Sequence, residues 1–215
     1  LATVDMLRAK ARWAFENGGV KPVMSDDGRL VLRDARHPIL AQTLRAQGKS
    51  IVPLDMQLDS HERILVISGP NAGGKSVCLK TAGLMQYMFQ CGFPVTASAN
   101  SEFTIFDSIF IDIGDEQSMD NDLSTYSSHL RNMNRMLSGA SERAMVLIDE
   151  FGSGTEPVIG GAIAEAILEK LVEKGCYGVI TTHYSNIKYY AANTDGISNG
   201  AMMFDVQNIR PLFRL

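Results

Sequence analysis

The run Gly69-Pro70-Asn71-Ala72-Gly73-Gly74-Lys75-Ser76 constrains this chain more than any other feature. It fits G-x-x-x-x-G-K-[ST], the phosphate-binding loop, which functions where a strand turns into a helix. The flanks agree. Ile64-Leu65-Val66-Ile67-Ser68 reads as a short apolar strand, and Val77 through Gln90 reads as a helix with Leu79, Ala82, Met85 or Gln86, and Phe89 at helical spacing. Glycines in the turn let backbone N–H groups close around an anion, and the helix N-terminus adds partial positive charge. A chance match in a chain of this length is roughly a one-percent event. The pattern implies a nucleoside triphosphate held by Gly69, Pro70, Asn71, Ala72, Gly73, Gly74, Lys75, Ser76 and Val77. Lys75 would reach the β- and γ-phosphates, and the Ser76 hydroxyl would ligate Mg²⁺.

A second constellation specifies the chemistry. Ala144-Met145-Val146-Leu147-Ile148 is apolar throughout and runs into Asp149-Glu150, 74 residues after Lys75. Five apolar residues in succession fit a strand buried on both faces of a parallel sheet. At its carboxyl end Asp149 would support Mg²⁺, and Glu150 would orient and deprotonate an attacking water. Two consecutive acids favour hydrolysis of the γ-phosphate over transfer to an acceptor. A further apolar run, Cys176 to Thr182, leads directly into His183. That position, at the carboxyl end of another parallel strand, is where a γ-phosphate sensor would stand. Leu123-Ser124-Thr125-Tyr126 opens a helix carrying Tyr126, Leu130, Met133 and Leu137 on one face. Ser124 and Thr125 there either cap the helix or present donors to a phosphate.

The order of these elements resembles an ABC-type ATPase, and their wording resembles the MutS family. Gly-Pro-Asn-Ala-Gly-Gly-Lys-Ser, with Asn71 third, is similar to that family's phosphate loop. Asp34-Ala35-Arg36-His37-Pro38-Ile39-Leu40 resembles its Arg-His-Pro element, Leu123-Ser124-Thr125-Tyr126 its Ser-Thr-aromatic signature, and Thr181-Thr182-His183-Tyr184 its Thr-His-Tyr switch. Phe151-Gly152-Ser153-Gly154-Thr155 matches the segment after the catalytic glutamate. Ile111-Asp112-Ile113-Gly114-Asp115-Glu116-Gln117-Ser118 looks like the second bacterial branch, which suppresses recombination, rather than the mismatch-binding branch. The resemblance runs from about Arg29 to Leu215. It implies a homodimer through the ATPase sites, in which Ser124 and Thr125 of one subunit complete the other's site. It also implies adenine contacts from Val52 and Pro53, and DNA held by clamp and nuclease-like domains outside this chain. The function so implied is ATP-driven gating of a clamp on mismatched or branched DNA. The alternative is a nucleotide-switched dimerisation module with negligible turnover, acting on a partner such as a stalled ribosome. A transporter motor is disfavoured, because Ser124-Thr125-Tyr126 stands where a Gly-Gly signature would be required.

Composition narrows the partners. At 215 residues with 45% hydrophobic content the chain supports a sizeable core. Its net charge of −4 argues against an autonomous DNA-gripping surface, since phosphate contacts dominate such affinity. The basic groupings Arg8-Lys10-Arg12 and Arg131/Arg135 read as solvated helix faces. No run approaches 18 apolar residues and no secretory signal is visible, so a cytoplasmic protein without membrane contact is expected. Cys78, Cys91 and Cys176 each lie in a buried-looking element and read as reduced core thiols.

The expected fold is α/β: a mostly parallel central sheet, an antiparallel portion near residues 20–66, and flanking helices. Residue 1 is leucine, so the chain reads as part of a longer protein, with 1–19 the end of an upstream helical arm and 20–215 the ATPase domain. Asp26-Asp27-Gly28, between Val23-Met24 and Leu30-Val31-Leu32, signals a hairpin turn. His37-Pro38 is expected near the base-contacting segment without direct catalysis, and His61 and His129 read as structural.

Overall fold

The computed structural model describes residues 1–114 and 122–215, the side chains of Asn71 and residues 122–126 excepted. In chain order the elements are α1 (Ala2–Asn17), β1 (Val23–Met24), β2 (Leu30–Ala35), α2 (Pro38–Ala46), β3 (Leu54–Leu58), β4 (Ile64–Ser68), a 3-10 turn (Asn71–Gly73), α3 (Lys75–Gln90), β5 (Glu102–Phe103) and β6 (Ser108–Asp112). There follow α4 (Asp122–Gly139), β7 (Ala144–Ile148), α5 (Pro157–Glu173), β8 (Tyr177–Thr181), α6 (Ser185–Ala192), β9 (Ile197–Ala201), β10 (Phe204–Asp205) and β11 (Arg210–Pro211). They form two compact units, residues 1–59, 80–105 and 214–215, and residues 60–79 and 106–213; the division falls inside α3.

In the first unit a four-stranded sheet has the order β1-β5-β2-β3. Along β3, Leu54, Met56 and Leu58 are buried while Asp55 and Gln57 are exposed, the period-two signature of a half-covered strand. Phe103 is fully buried and stacks on Phe89 at 5.0 Å. Helix α1 stops at Gly18, and its Trp13 meets Phe93 edge-on at 6.3 Å. Lys10 is more than a solvated cation: its ammonium lies 4.7 Å from the Phe93 ring centroid and donates to the carbonyls of Cys91 (2.8 Å) and Gly92 (3.1 Å).

The expected hairpin at Asp26-Asp27-Gly28 is not formed. Strands β1 and β2 flank β5 instead of pairing with each other, because β5 takes the hydrogen bonds of both: Val23 N–H goes to Ser101 O, Ser25 N–H to Phe103 O, and Val31 pairs with Glu102. The antiparallel portion also ends earlier than expected, at Leu58. β4 belongs to the second sheet, and β5 takes its place in the first. Cys78 and Cys176 are buried, and burial pushes both thiols up to about 11. Cys91 is exposed rather than buried, since α3 has already ended at Gln90.

The second unit is built on a five-stranded sheet of order β6-β7-β8-β4-β9, every neighbouring pair parallel. All five residues of β7 are buried. Ala144, Val146 and Ile148 pack into a cluster with Met133 and Met136 of α4 and Ala164 and Leu168 of α5. Burying each of the larger side chains among them, Val146, Ile148, Met136 and Leu168, contributes about 1.5–3 kcal/mol. Helix α5 starts sharply because Glu156 accepts from the N–H groups of Val158 (3.1 Å) and Ile159 (2.9 Å), and Pro157 occupies the first turn. β10 and β11 pair as a small antiparallel ribbon. Among the described residues no helix is long and apolar enough to cross a membrane.

Candidate nucleotide site

Three strands of the parallel sheet deliver the sequence-predicted residues to one edge. β4 runs into the glycine loop, β7 into Asp149-Glu150, and β8 into Thr182-His183. β8 lies between the other two, with Thr181 paired to Ile67 and Ile180 paired to Ile148. The carboxyl end of a parallel sheet is where ligands of open α/β folds bind.

The loop has the conformation its glycines allow. After Pro70 the chain makes a single 3-10 turn, closed by Gly73 N–H to Pro70 O at 2.9 Å. Gly74 then adopts φ 94, a left-handed value that a side chain would resist, and α3 begins at Lys75. Met202 underlies the loop, donating its N–H to Ser68 O at 2.9 Å and meeting Cys78 Sγ at 3.7 Å. Lys75 is only 3% exposed, and its ammonium donates to Gly69 O at 2.7 Å. Burial holds the Lys75 pKa below the usual lysine range, opposed by the charges of Glu150 and Asp149. Asn71 and the signature residues Ser124 and Thr125 have side chains outside the described residues; the backbone of both signature residues lies in the first turns of α4. Asp115, Glu116, Gln117 and Ser118 of the branch-discriminating stretch also lie outside them.

The carboxylate side of the site is closely bonded. Ser76 Oγ donates to Asp149 Oδ1 at 3.1 Å, and Thr181 Oγ1 donates to the same oxygen at 2.5 Å. Thr181 Oγ1 in turn accepts the Glu150 N–H at 2.8 Å. Glu150 has φ 50, which costs a non-glycine residue on the order of 1–2 kcal/mol and so requires support from its surroundings. The turn after β7 is laced to the end of β8 and the turn that follows it at three more points. Phe151 N–H bonds Thr181 O (2.8 Å), Thr182 Oγ1 bonds Phe151 O (3.2 Å), and Tyr184 Oη bonds Gly152 O (3.0 Å). His183 is exposed, next in chain to this lacing. Partial burial and then the Lys75 cation depress its pKa, which favours the neutral imidazole.

One cluster in the unit escaped the sequence reading. Asp112, at the carboxyl end of β6, is 4% exposed; it accepts Asn132 Nδ2 at 2.7 Å and faces His129 Nδ1 at 2.6 Å. Its carbonyl accepts the Asp149 N–H at 2.9 Å. The hydrogen bond to Asp112 raises the His129 pKa, with a smaller contribution from Glu150. Asp112, His129, Met133, Asp149, Glu150 and Phe151 share a cavity of about 30 Å³, large enough for water. The available signal was an acid ending an apolar strand, the same pattern that marked Asp149. His61 lies in the turn before β4, and His37 caps α2, its Nδ1 accepting the Leu40 N–H at 3.4 Å. Val52 and Pro53 belong to the first unit, in the loop before β3.

A sequence profile of MutS domain V matches residues 65–214. Over all 215 residues the chain is 45% identical to a protein of Shouchella clausii (strain KSM-K16) named Endonuclease MutS2, covering 27% of that protein. Proteins of the same name from Agathobacter rectalis and Ruminiclostridium cellulolyticum are 42% and 40% identical over the whole chain, which covers 26% of each. The chain thus spans about a quarter of the length of the curated relatives it matches.

Proposed function

This chain belongs to the MutS domain V family, an ATPase domain, and from that premise we propose that it binds ATP with Mg²⁺ and hydrolyses it at a site shared by two copies. The observation that carries the reading is the meeting of Ser76 with Asp149 at 3.1 Å, next in chain to a buried Lys75 and a left-handed Glu150. In this reading the amides of Gly69 to Val77 and the Lys75 ammonium hold the phosphates.

The donors suit Mg²⁺. A hydroxyl and a carboxylate are hard oxygen ligands, and magnesium is usually held by one or two carboxylates together with substrate phosphates. Ser76 and Asp149 would hold the ion, which when bound neutralises charge developing on the phosphates. Glu150 accepts the proton of the attacking water, and neutral His183 donates to the γ-phosphate. Ser124 and Thr125 from a second copy complete the phosphate side in an ABC-type dimer. In the larger protein, nucleotide turnover gates a clamp on mismatched or branched DNA.

The test is Lys75→Ala. Losing a charge-assisted partner of a desolvated phosphate should weaken ATP binding by 10-fold or more, at about 1.5–3 kcal/mol per such bond, and abolish phosphate release. Unchanged affinity together with unchanged hydrolysis would contradict the assignment.

A further inference from the structure

We propose that Thr181 is the positioning residue of this site, its hydroxyl fixing the backbone of Glu150 to the carboxylate of Asp149. The inference rests on the nucleotide reading above and assigns a role to a residue which that reading leaves without one. Thr181 is fully buried at the end of β8, the strand between β4 and β7. A hydroxyl both donates and accepts, and this one uses both capacities across the site. It donates to Asp149 Oδ1 at 2.5 Å and accepts the Glu150 N–H at 2.8 Å.

The two bonds do different work. Asp149 Oδ1 also receives Ser76 Oγ, so the two donors together fix the direction of that carboxylate. Such outer-shell partners orient a ligating group, and losing one typically costs about 10–100-fold in metal affinity or activity. The second bond meets the N–H of a residue at φ 50. A left-handed glutamate persists only where its neighbours over-determine it, and Thr181 supplies both that hydroxyl and the carbonyl that receives Phe151 N–H. Helix capping or simple packing would not need an oxygen here; valine has nearly the same shape and would fill the space. Thr181 also stands two residues before His183, so the sensing histidine and the general base are held through one short segment of β8.

The experiment compares Thr181→Val with Thr181→Ser in the intact protein, beside the parent and Glu150→Gln. Valine keeps shape and loses the hydroxyl; serine keeps the hydroxyl. Thr181→Val should lower kcat about 10–100-fold while leaving the Kd for ATP without Mg²⁺ within about 3-fold, and Thr181→Ser should recover most of the parent's kcat. Hydrogen exchange at the Glu150 amide should accelerate in the valine variant and remain slow in the serine variant, with or without nucleotide. Equal kcat in the parent and Thr181→Val would overturn the proposal. So would equal losses in the valine and serine variants, or slow Glu150 exchange in all of them. A parent that binds ATP but releases no phosphate defeats the hydrolytic reading instead, and the exchange measurement then still decides for or against Thr181.

Discussion

Ser76 and Asp149 stand 73 residues apart in sequence, yet Ser76 Oγ and Asp149 Oδ1 meet at 3.1 Å. The first lies in the opening turn of α3, reached through the loop after β4, and the second in the turn after β7, two strands that are not neighbours in the sheet. Their meeting depends on β8, whose Thr181 pairs with Ile67 on one side and bonds Asp149 on the other. The site is therefore a property of strand order as much as of motif.

The turn carrying Glu150 depends on two glycines that leave no room for a side chain. A Cβ on Gly160 would fall 2.4 Å from Gly152 O and 2.9 Å from Thr155 Cγ2. Gly160→Ala must therefore push α5 away from the turn after β7, at a cost of about 1–3 kcal/mol. The melting temperature should fall by roughly 2–4 °C for each kcal/mol in a domain of this size, as a thermal scan will read. A variant that melts with the parent would show that the turn yields freely.

The His129–Asp112 pair makes stability depend on pH with a definite sign. Its hydrogen bond to Asp112 raises the folded-state pKa of His129 above the unfolded value near 6.5. Its contribution is thus fully present below about pH 6.5 and is lost as pH rises through the raised folded value. His183 and His37 are shifted downward and work in the opposite sense, so the parent alone is not the right comparison. Denaturant titrations should show the stability gap between the parent and His129→Gln to be widest in mild acid and to narrow with rising pH. A gap that is flat across the range, or that widens upward, would mean that Asp112 does not raise the His129 pKa.

Much of this was readable in advance, for physical reasons. The phosphate loop and β7 are local signals: glycine spacing and an unbroken apolar run each imply their conformation without reference to distant residues. Strand order is not local, and neither the insertion of β8 between β4 and β7 nor that of β5 between β1 and β2 leaves a mark within one segment. The same holds for Asp112 and His129, whose significance comes from an encounter across 17 residues. Thr181 was visible as part of a Thr-Thr-His string, but its two hydrogen bonds are not. Lys10 looked like a surface cation because the aromatic ring beneath it, Phe93, is 83 positions away.

A shared site predicts complementation. Ser124→Arg and Lys75→Ala should each be nearly inactive alone, while a mixed dimer sets an intact Lys75 against an intact Ser124 and restores one site of two. Mixing the purified variants should recover part of the parent's ATPase activity, and the parent's specific activity should rise with protein concentration. Mixed dimers that form yet stay inactive would assign Ser124 to its own subunit's site or to helix capping alone.

The most direct measurement is the rate of phosphate release by Glu150→Gln beside the parent, with Mg²⁺ present. Glutamine keeps the volume of Glu150 and cannot take a proton from water. ATP should bind the variant about as tightly as the parent, and turnover should fall by about 10²–10⁴, the usual share of a positioned general base. Equal turnover in the two proteins, or a parent that binds ATP and releases no phosphate above the blank, would contradict the account.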